Sequence, residues 1–87
     1  MIEYKGYLIL GTALMIHPNS PDWRAVGIVC RKTSEGLIVQ VERAGRPIFT
    51  TKGAAEKEGL ALCREWVDET LSARSSAFPS AIERNPV

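Results

Sequence analysis

Apolar residues recur with a helical period between Thr51 and Leu71. At about 100° per residue, one side of this segment is apolar and the other is charged, which is typical of an amphipathic helix packed on a single surface. Thr50 or Thr51 is expected to cap the helix, because a threonine hydroxyl can accept a hydrogen bond from a first-turn N–H. The apolar side consists of Ala55, Gly59, Leu62, Cys63, Trp66, Val67 and Thr70, with Leu60 and Leu71 at its margin.

Gly59 occupies the middle of this apolar side. Because glycine costs roughly 1 kcal/mol relative to alanine inside a helix, its presence predicts a close approach to another backbone, most simply that of a strand. Leu62 and Trp66 flank it, and each would contribute about 1.5 to 3 kcal/mol if fully buried. We therefore expect truncation of these two side chains to destabilise the fold most.

Three segments rich in β-branched, aromatic and aliphatic residues precede the helix and are predicted to be strands. They are Tyr4 to Ile16, Trp23 to Lys32 and Leu37 to Arg43. Turns are predicted between them at His17 to Asp22 and at Thr33 to Gly36. Ala44 to Pro47 is predicted as a further turn, after which Ile48 and Phe49 form either the stub of a fourth strand or an apolar lead-in to the helix.

All connections between these elements are short, which favours antiparallel neighbours, since parallel neighbours need a crossover of about a dozen residues or more. The sequence therefore predicts an α+β fold, a three-stranded antiparallel β-meander packed on one C-terminal α-helix, in the order β-β-β-α. Residues 1–73 are predicted to form this single domain. Residues 74–87 are rich in Ser and Ala and are expected to be a flexible tail, in which Phe78 and Ile82 could dock on the domain.

The first predicted strand is apolar on both of its alternating sides. A strand with one face in water should alternate more cleanly between apolar and polar residues. Because one helix covers only one face of a sheet, the other face should carry an exposed apolar patch, which is typical of a partner surface. The candidate interaction surface consists of Leu8, Leu10, Leu14 and Ile16.

The simplest partner for this surface is a second copy of the chain, bound through the sheet face or through an edge strand in a twofold homodimer. A different protein partner stays open, and the C-terminal tail is a competing cover for the same face. The chain is therefore predicted to be a non-catalytic interaction module.

Composition and charge are ordinary for one small globular domain. The chain has 87 residues, a formal net charge of +1 and two cysteines. It has no run of about 18 apolar residues, and its first ten residues do not have the form of a signal peptide, so a cytoplasmic location without membrane contact is expected. Cys30 and Cys63 are accordingly expected to be reduced and buried, with a disulfide as the less favoured alternative.

The sequence shows no arrangement of residues that catalysis would need. Neither cysteine has a neighbouring base in the sequence, and no glycine-rich phosphate loop is present. Asp68 and Glu69 are predicted to be solvated charges on the helix surface and not an acid–base pair. Two cysteines and one histidine, His17, are too few ligands for a zinc site. The chain is therefore predicted not to be an enzyme, and to bind neither a cofactor nor a metal ion.

Weak nucleic-acid binding is the alternative function. Residues 1–50 carry six basic and four acidic side chains, whereas residues 51–73 carry three basic and five acidic ones. If the second and third strands pair, an aromatic residue and three arginines gather at one end of the sheet, where they could stack on bases and contact phosphates. The overall charge is nevertheless far below that of a typical nucleic-acid-binding domain. The candidate contacts are Trp23, Arg24, Arg43 and Arg46.

Several short motifs mark the predicted elements. They are Tyr4-Lys5-Gly6-Tyr7 in the first strand, Trp23-Arg24-Ala25 in the second, Phe49-Thr50-Thr51 before the helix, and Ala55, Gly59, Leu62 and Trp66-Val67-Asp68 within it. Through these motifs, from Tyr4 to about Asp68, the chain resembles a loose group of short uncharacterised bacterial proteins and regulator domains built from three strands and a helix. The resemblance implies the β-β-β-α fold and a bacterial origin, and it carries over no catalytic residue.

The order of elements is also similar to that of a double-stranded-RNA-binding domain that lacks its first helix. In that family the missing helix contributes RNA contacts. The lysine-rich start of the family's last helix is represented here only by Lys52 and Lys57, with Glu56 and Glu58 beside them. The similarity is therefore one of topology.

Overall fold

A computed structural model describes residues 1–19 and 21–84 of the chain, with side chains as far as Arg74. The elements are β1 (Ile2–Tyr4), β2 (Tyr7–Met15), β3 (Trp23–Thr33), β4 (Gly36–Phe49) and α1 (Lys52–Arg84). The strands pair in chain order as one antiparallel sheet, and α1 packs against β2, β3 and β4. The predicted α+β class and antiparallel meander are confirmed, but the sheet has four strands and not the predicted three.

The additional strand arises from a tight turn at Lys5 and Gly6. Tyr4 pairs directly with Tyr7, so the connection has two residues, and both have positive φ, 50° for Lys5 and 90° for Gly6. Two positive φ angles are the requirement of a type I′ hairpin turn, and glycine meets it without steric strain. The prediction of one continuous first strand was wrong because Gly6 reverses the chain direction.

β4 continues through the segment that the sequence predicts as a turn. Ala44 pairs with Val26 and Ile48 pairs with Arg24, so three residues of β4 bulge opposite one residue of β3. One of the three is Pro47, which lacks an N–H and is tolerated at a bulge on an edge strand. The predicted turn was therefore wrong, and the expected stub of a fourth strand is the end of β4.

A second irregularity interrupts β4 nearer its start. Val39 pairs with Cys30 and Val41 pairs with Val29, which leaves Gln40 as an extra residue. An extra residue shifts the alternation of side chains along the strand by one position. Val39 and Val41 therefore lie on opposite sides of the sheet.

α1 begins with a threonine cap. The Thr51 hydroxyl accepts a hydrogen bond from the Ala54 N–H at 3.2 Å, and the Thr51 carbonyl accepts one from the Ala55 N–H at 3.3 Å. The first bond satisfies an N–H group of the first turn that has no partner within the helix, and the second is the first backbone bond of the helix itself. The predicted cap is therefore confirmed, and it is Thr51.

The end of α1 lies beyond the periodic segment. The helix continues past Leu71 to Arg84, so its predicted end was too early. The side chains of Phe78 and Ile82 lie outside the described residues. A flexible tail over residues 74–87, and its docking on the domain, stay predictions.

α1 lies directly on the backbones of β2 and β3. Gly11 and Gly27 are paired across these strands, and Gly59 of α1 lies over them. A Cβ atom added to Gly59 would lie 3.0 Å from the Gly11 Cα, and one added to Gly27 would lie 2.5 Å from the Gly59 carbonyl oxygen. Real Cβ atoms essentially never come within 3.0 Å of backbone atoms, and a distance of 3.0 Å is tighter than nine in ten real Cβ contacts. The close approach predicted at Gly59 is confirmed.

The apolar core adjoins this glycine contact. Its buried side chains are Tyr7, Ile9, Val29, Cys63 and Val67. Trp66 is half-buried and meets the Tyr7 ring edge-on, with the ring centroids 5.7 Å apart. Leu62 is half-buried as well. The buried centre of the apolar side of α1 is therefore formed by two smaller residues, Cys63 and Val67. The expectation that truncation of Leu62 and Trp66 destabilises the fold most stays a prediction.

Candidate interaction surface

We call the side of the sheet away from α1 the open face. Along β2, Tyr7, Ile9 and Gly11 face α1, so the residues that alternate with them face away. Strand register extends this assignment to β3 and β4. The apolar members of the open face are Leu8, Leu10 and Leu14 from β2, Val26, Ile28 and Cys30 from β3, and Leu37, Val39, Ala44 and Ile48 from β4.

The large side chains on the open face are exposed to an unusual degree. Leu14 is 58% exposed, Val39 59% and Ile48 54%, and Leu37 and Leu10 are also exposed. No described element packs over them, and the shortest extent of the molecule, 16 Å, matches one helix layer on one sheet layer. The result is an apolar patch that crosses three strands, of the kind that marks a binding surface.

Three of the four residues predicted for the interaction surface, Leu8, Leu10 and Leu14, lie on the open face. Ile16 does not, because β2 has ended before it. It is half-buried, and its N–H donates to the Asp22 carbonyl oxygen at 3.2 Å. Ile16 therefore belongs to the turn after β2.

Sequence reasoning did not assign the residues that β3 and β4 add to the open face. In β3 the signal was present, because Val26, Ile28 and Cys30 are alternate residues of one predicted strand. In β4 the signal was hidden. The extra residue at Gln40 changes which residues share a side of the sheet, so Leu37 and Val39 share the open face with Ala44 and Ile48.

The open face also carries charged residues whose net charge is zero. They are Glu3, Arg24, Lys32 and Glu42. Glu3 and Lys32 lie at one end of the face, where they line the same groove of about 280 Å³. None of the four forms an ion pair within the described residues. They are therefore available to a partner.

The four residues predicted to contact nucleic acid do not form one surface. Trp23 and Arg43 lie on the side of the sheet that faces α1, whereas Arg24 lies on the open face and Arg46 lies in the bulge of β4. The Arg43 guanidinium is 3.7 and 3.8 Å from the carboxylates of two helix glutamates. These carboxylates offset the charge that Arg43 would offer to a phosphate.

Both cysteines are free and buried, as predicted, and they lie on opposite sides of the sheet. Cys30 is on the open face among apolar neighbours. The Cys63 thiol is on the helix side and donates to the carbonyl oxygens of Leu10 and Ile28, with Sγ–O distances of 3.5 and 3.4 Å. Burial raises the pKa of the Cys63 thiol, so it stays protonated and poorly nucleophilic at neutral pH.

Neither a metal site nor a membrane span is present in the described part of the chain. There, the His, Cys, Asp and Glu side chains do not gather in a group of three that could hold a metal ion. Over the same residues, α1 has no segment apolar enough to cross a bilayer.

Comparisons of the chain with protein-family models, with curated proteins and with solved structures found no match. The likeness to short bacterial β-β-β-α proteins and to the double-stranded-RNA-binding domain therefore stays a resemblance.

Proposed function

We propose that the chain is a small non-catalytic interaction module that self-associates by packing its open face against the open face of a second copy. The observation that supports this most directly is the exposure of Leu14, Val39 and Ile48, each more than half exposed on one uncovered face. Burying apolar side chains of this size is worth about 1.5 to 3 kcal/mol each when burial is complete.

The open face is close to the size of one side of a small dimer interface. β2 has nine residues, and three long strands at about 4.8 Å spacing and about 3.3 Å per residue give roughly 430 Å² of projected area. The accessible area is larger, because side chains stand out from the sheet. The smaller stable interfaces bury about 600 Å² per partner. A second copy therefore offers a matching surface.

The edges of the sheet are less suited to self-association than its open face. β1 has only three residues, and β4 is interrupted by two bulges, one of which contains Pro47. Short edge strands, bulges and prolines are the features by which proteins prevent edge-to-edge pairing. Of the two modes that the sequence left open, packing through the face is therefore the better supported.

Charge does not oppose this packing. The two acidic and two basic residues that strand register places on the open face cancel, so these four side chains create no net repulsion between two copies. Weak nucleic-acid binding is less well supported, because Arg43 already faces two carboxylates and Arg24 projects from the opposite side of the sheet.

A pair of neighbouring substitutions on β2 tests the proposal. Leu14 and Met15 are similarly exposed, at 58% and 45%, but only Leu14 lies on the open face. We expect the full chain and Met15→Glu to be dimers by light scattering across a tenfold range of concentration. Leu14→Glu should be a monomer, because it replaces an apolar side chain of the interface with a charged one, and its desolvation is costly even beside Arg24. A monomeric full chain, or equal loss of the dimer in both variants, would contradict packing through the open face.

A further inference from the structure

Arg24 and Glu42 carry opposite charges on the open face, and a twofold axis can place each of them opposite the other residue in a second copy. Glu42 is opposite Ile28, and Arg24 is four residues before Ile28 on the same side of β3. With strands about 4.8 Å apart and about 3.3 Å per residue, their Cα atoms are separated by roughly 14 Å. Neither side chain forms an ion pair within the described residues.

We infer that Arg24 of one copy binds Glu42 of the second copy across the open faces, and that the reciprocal pair forms at the same time. This inference rests on the face-to-face packing proposed above. Consider a twofold axis that lies between the two sheets and passes midway between the two positions. Rotation about it places Arg24 of each copy opposite Glu42 of the other copy. Such an axis runs nearly across the strands, so the two sheets stack with their strands roughly aligned, which is a common packing of sheets.

The surroundings of Arg24 explain why it needs a partner. In the register of the sheet it lies between Leu14 and Ile48, which are among the most exposed apolar residues of the open face. Covering these two side chains removes Arg24 from water, and an unpaired buried guanidinium is strongly unfavourable. A carboxylate can accept two parallel hydrogen bonds from arginine, which fixes the relative position of the two sheets.

Lys32, which lies on the same strand as Arg24, is the other basic residue that could pair with Glu42. It lies four residues after Ile28, so it is as far from Glu42 as Arg24 is, and it faces the same side. Lys32 already shares a groove with Glu3, whereas both residues paired with Arg24 across the neighbouring strands are apolar. The register therefore pairs Glu42 with Arg24 in preference to Lys32.

Charge reversal tests this register in the full chain. Arg24→Glu and Glu42→Arg should each weaken the dimer by about 30-fold or more in Kd, as loss of one partner of a buried charge pair does. An equimolar mixture of the two variants should form a heterodimer of wild-type affinity, because one ion pair keeps its original signs and the other forms with its signs exchanged. The double variant should form a homodimer for the same reason. The measurement is sedimentation equilibrium, and circular dichroism checks that each variant is folded.

Lys32→Glu mixed with Glu42→Arg is the matched control. Lys32→Glu keeps the Arg24–Glu42 pairs and should remain a homodimer, whereas Glu42→Arg should not form a heterodimer with it. A heterodimer of these two variants, without one between Arg24→Glu and Glu42→Arg, would overturn the Arg24–Glu42 register. The register is also overturned if the single variants are as dimeric as the wild type, or if they dissociate and the Arg24→Glu mixture fails to recover. In these cases the wild-type dimer still supports the proposed function. A monomeric wild-type chain overturns both.

Discussion

Three glycines set the distance between α1 and the sheet. Gly11, Gly27 and Gly59 meet where the helix crosses β2 and β3, so backbone rests on backbone. The helix comes close enough for the Cys63 thiol to reach carbonyl oxygens of two different strands, at 3.4 and 3.5 Å. The atoms around the glycines are mostly main-chain atoms, which cannot move aside as a flexible side chain can.

Gly59→Ala should therefore destabilise the protein, although alanine is the better helix former by about 1 kcal/mol. Its methyl group would meet the Gly11 Cα at 3.0 Å and the Val26 carbonyl oxygen more closely still. We expect the free energy of unfolding to fall by about 1 to 3 kcal/mol, as is usual for overpacking. Urea titration at one fixed protein concentration measures the change.

Gly53→Ala is the matched control, because Gly53 also lies in α1 and nothing is within 4 Å of an added Cβ atom. This substitution should be neutral or stabilise the fold by up to about 1 kcal/mol. If Gly59→Ala stabilised the protein as well, the helix would not be in contact with the strand backbones.

At the scale of elements, the β1–β2 hairpin is tied to α1 by one carboxylate. The Tyr4 hydroxyl donates to the Asp68 carboxylate at 3.0 Å, and the Lys5 amino group lies 2.8 Å from one of its oxygens. The hydrogen bond from Lys5, followed by that from Tyr4, holds the pKa of the Asp68 carboxyl below its ordinary value. β1 has only three residues, and this carboxylate links it to α1 through the Tyr4 hydroxyl.

Acidification should loosen β1 through this carboxylate. A carboxyl group whose pKa is lowered by folding adds stability above its unfolded pKa of about 3.9, and this stability is lost as the pH falls through the lowered value. We expect hydrogen-exchange protection factors of the β1 amides to fall over that range in the wild type. In Asp68→Asn they should already be low at neutral pH.

Glu58→Gln is the control for this prediction, because Glu58 lies on the same helix without a contact to β1 in the described residues. It should leave the protection of β1 unchanged. An Asp68 carboxyl that titrates at its ordinary pKa by NMR would show that the tie does not form in solution.

The sequence predicted those elements whose signals are local. The period of α1, its Thr51 cap and the backbone contact of Gly59 could all be read from neighbouring residues. The hairpin at Gly6 was missed because its turn interrupts a segment that is apolar throughout. The bulge around Pro47 was missed because glycine and proline there suit a turn as well as a bulge, and only pairing with β3 distinguishes the two.

The same distinction applies to the candidate surface. Leu8, Leu10 and Leu14 were found because β2 alternates without interruption over them. That Ile48 shares this face with Leu37 and Val39 depends on the extra residue at Gln40, which no local pattern reveals. The pairing of Arg43 with helix carboxylates is likewise non-local, since these residues are brought together only when α1 packs on the sheet.

At the scale of the whole molecule, the described residues form two layers, with α1 on one side of the sheet and the open face on the other. A chain of this length buries a smaller share of its surface on folding than a larger domain does. Each apolar residue left exposed is therefore a larger fraction of the burial that could stabilise the fold. Packing two open faces together would give four layers, helix, sheet, sheet and helix. Both sides of each sheet would then be covered, and self-association would contribute to folding as well as to recognition.

The stability of the wild-type chain should therefore depend on its concentration. For a dimer that unfolds to two separate chains, a tenfold increase in concentration adds about 1.4 kcal/mol to the free energy of unfolding. We expect the urea midpoint of the wild type to rise accordingly, while that of Leu14→Glu stays constant because its unfolding involves one chain. Met15→Glu should follow the wild type, since Met15 does not lie on the open face. A wild-type midpoint that is independent of concentration would mean that each chain folds without a second copy, and that the open face is stable in water.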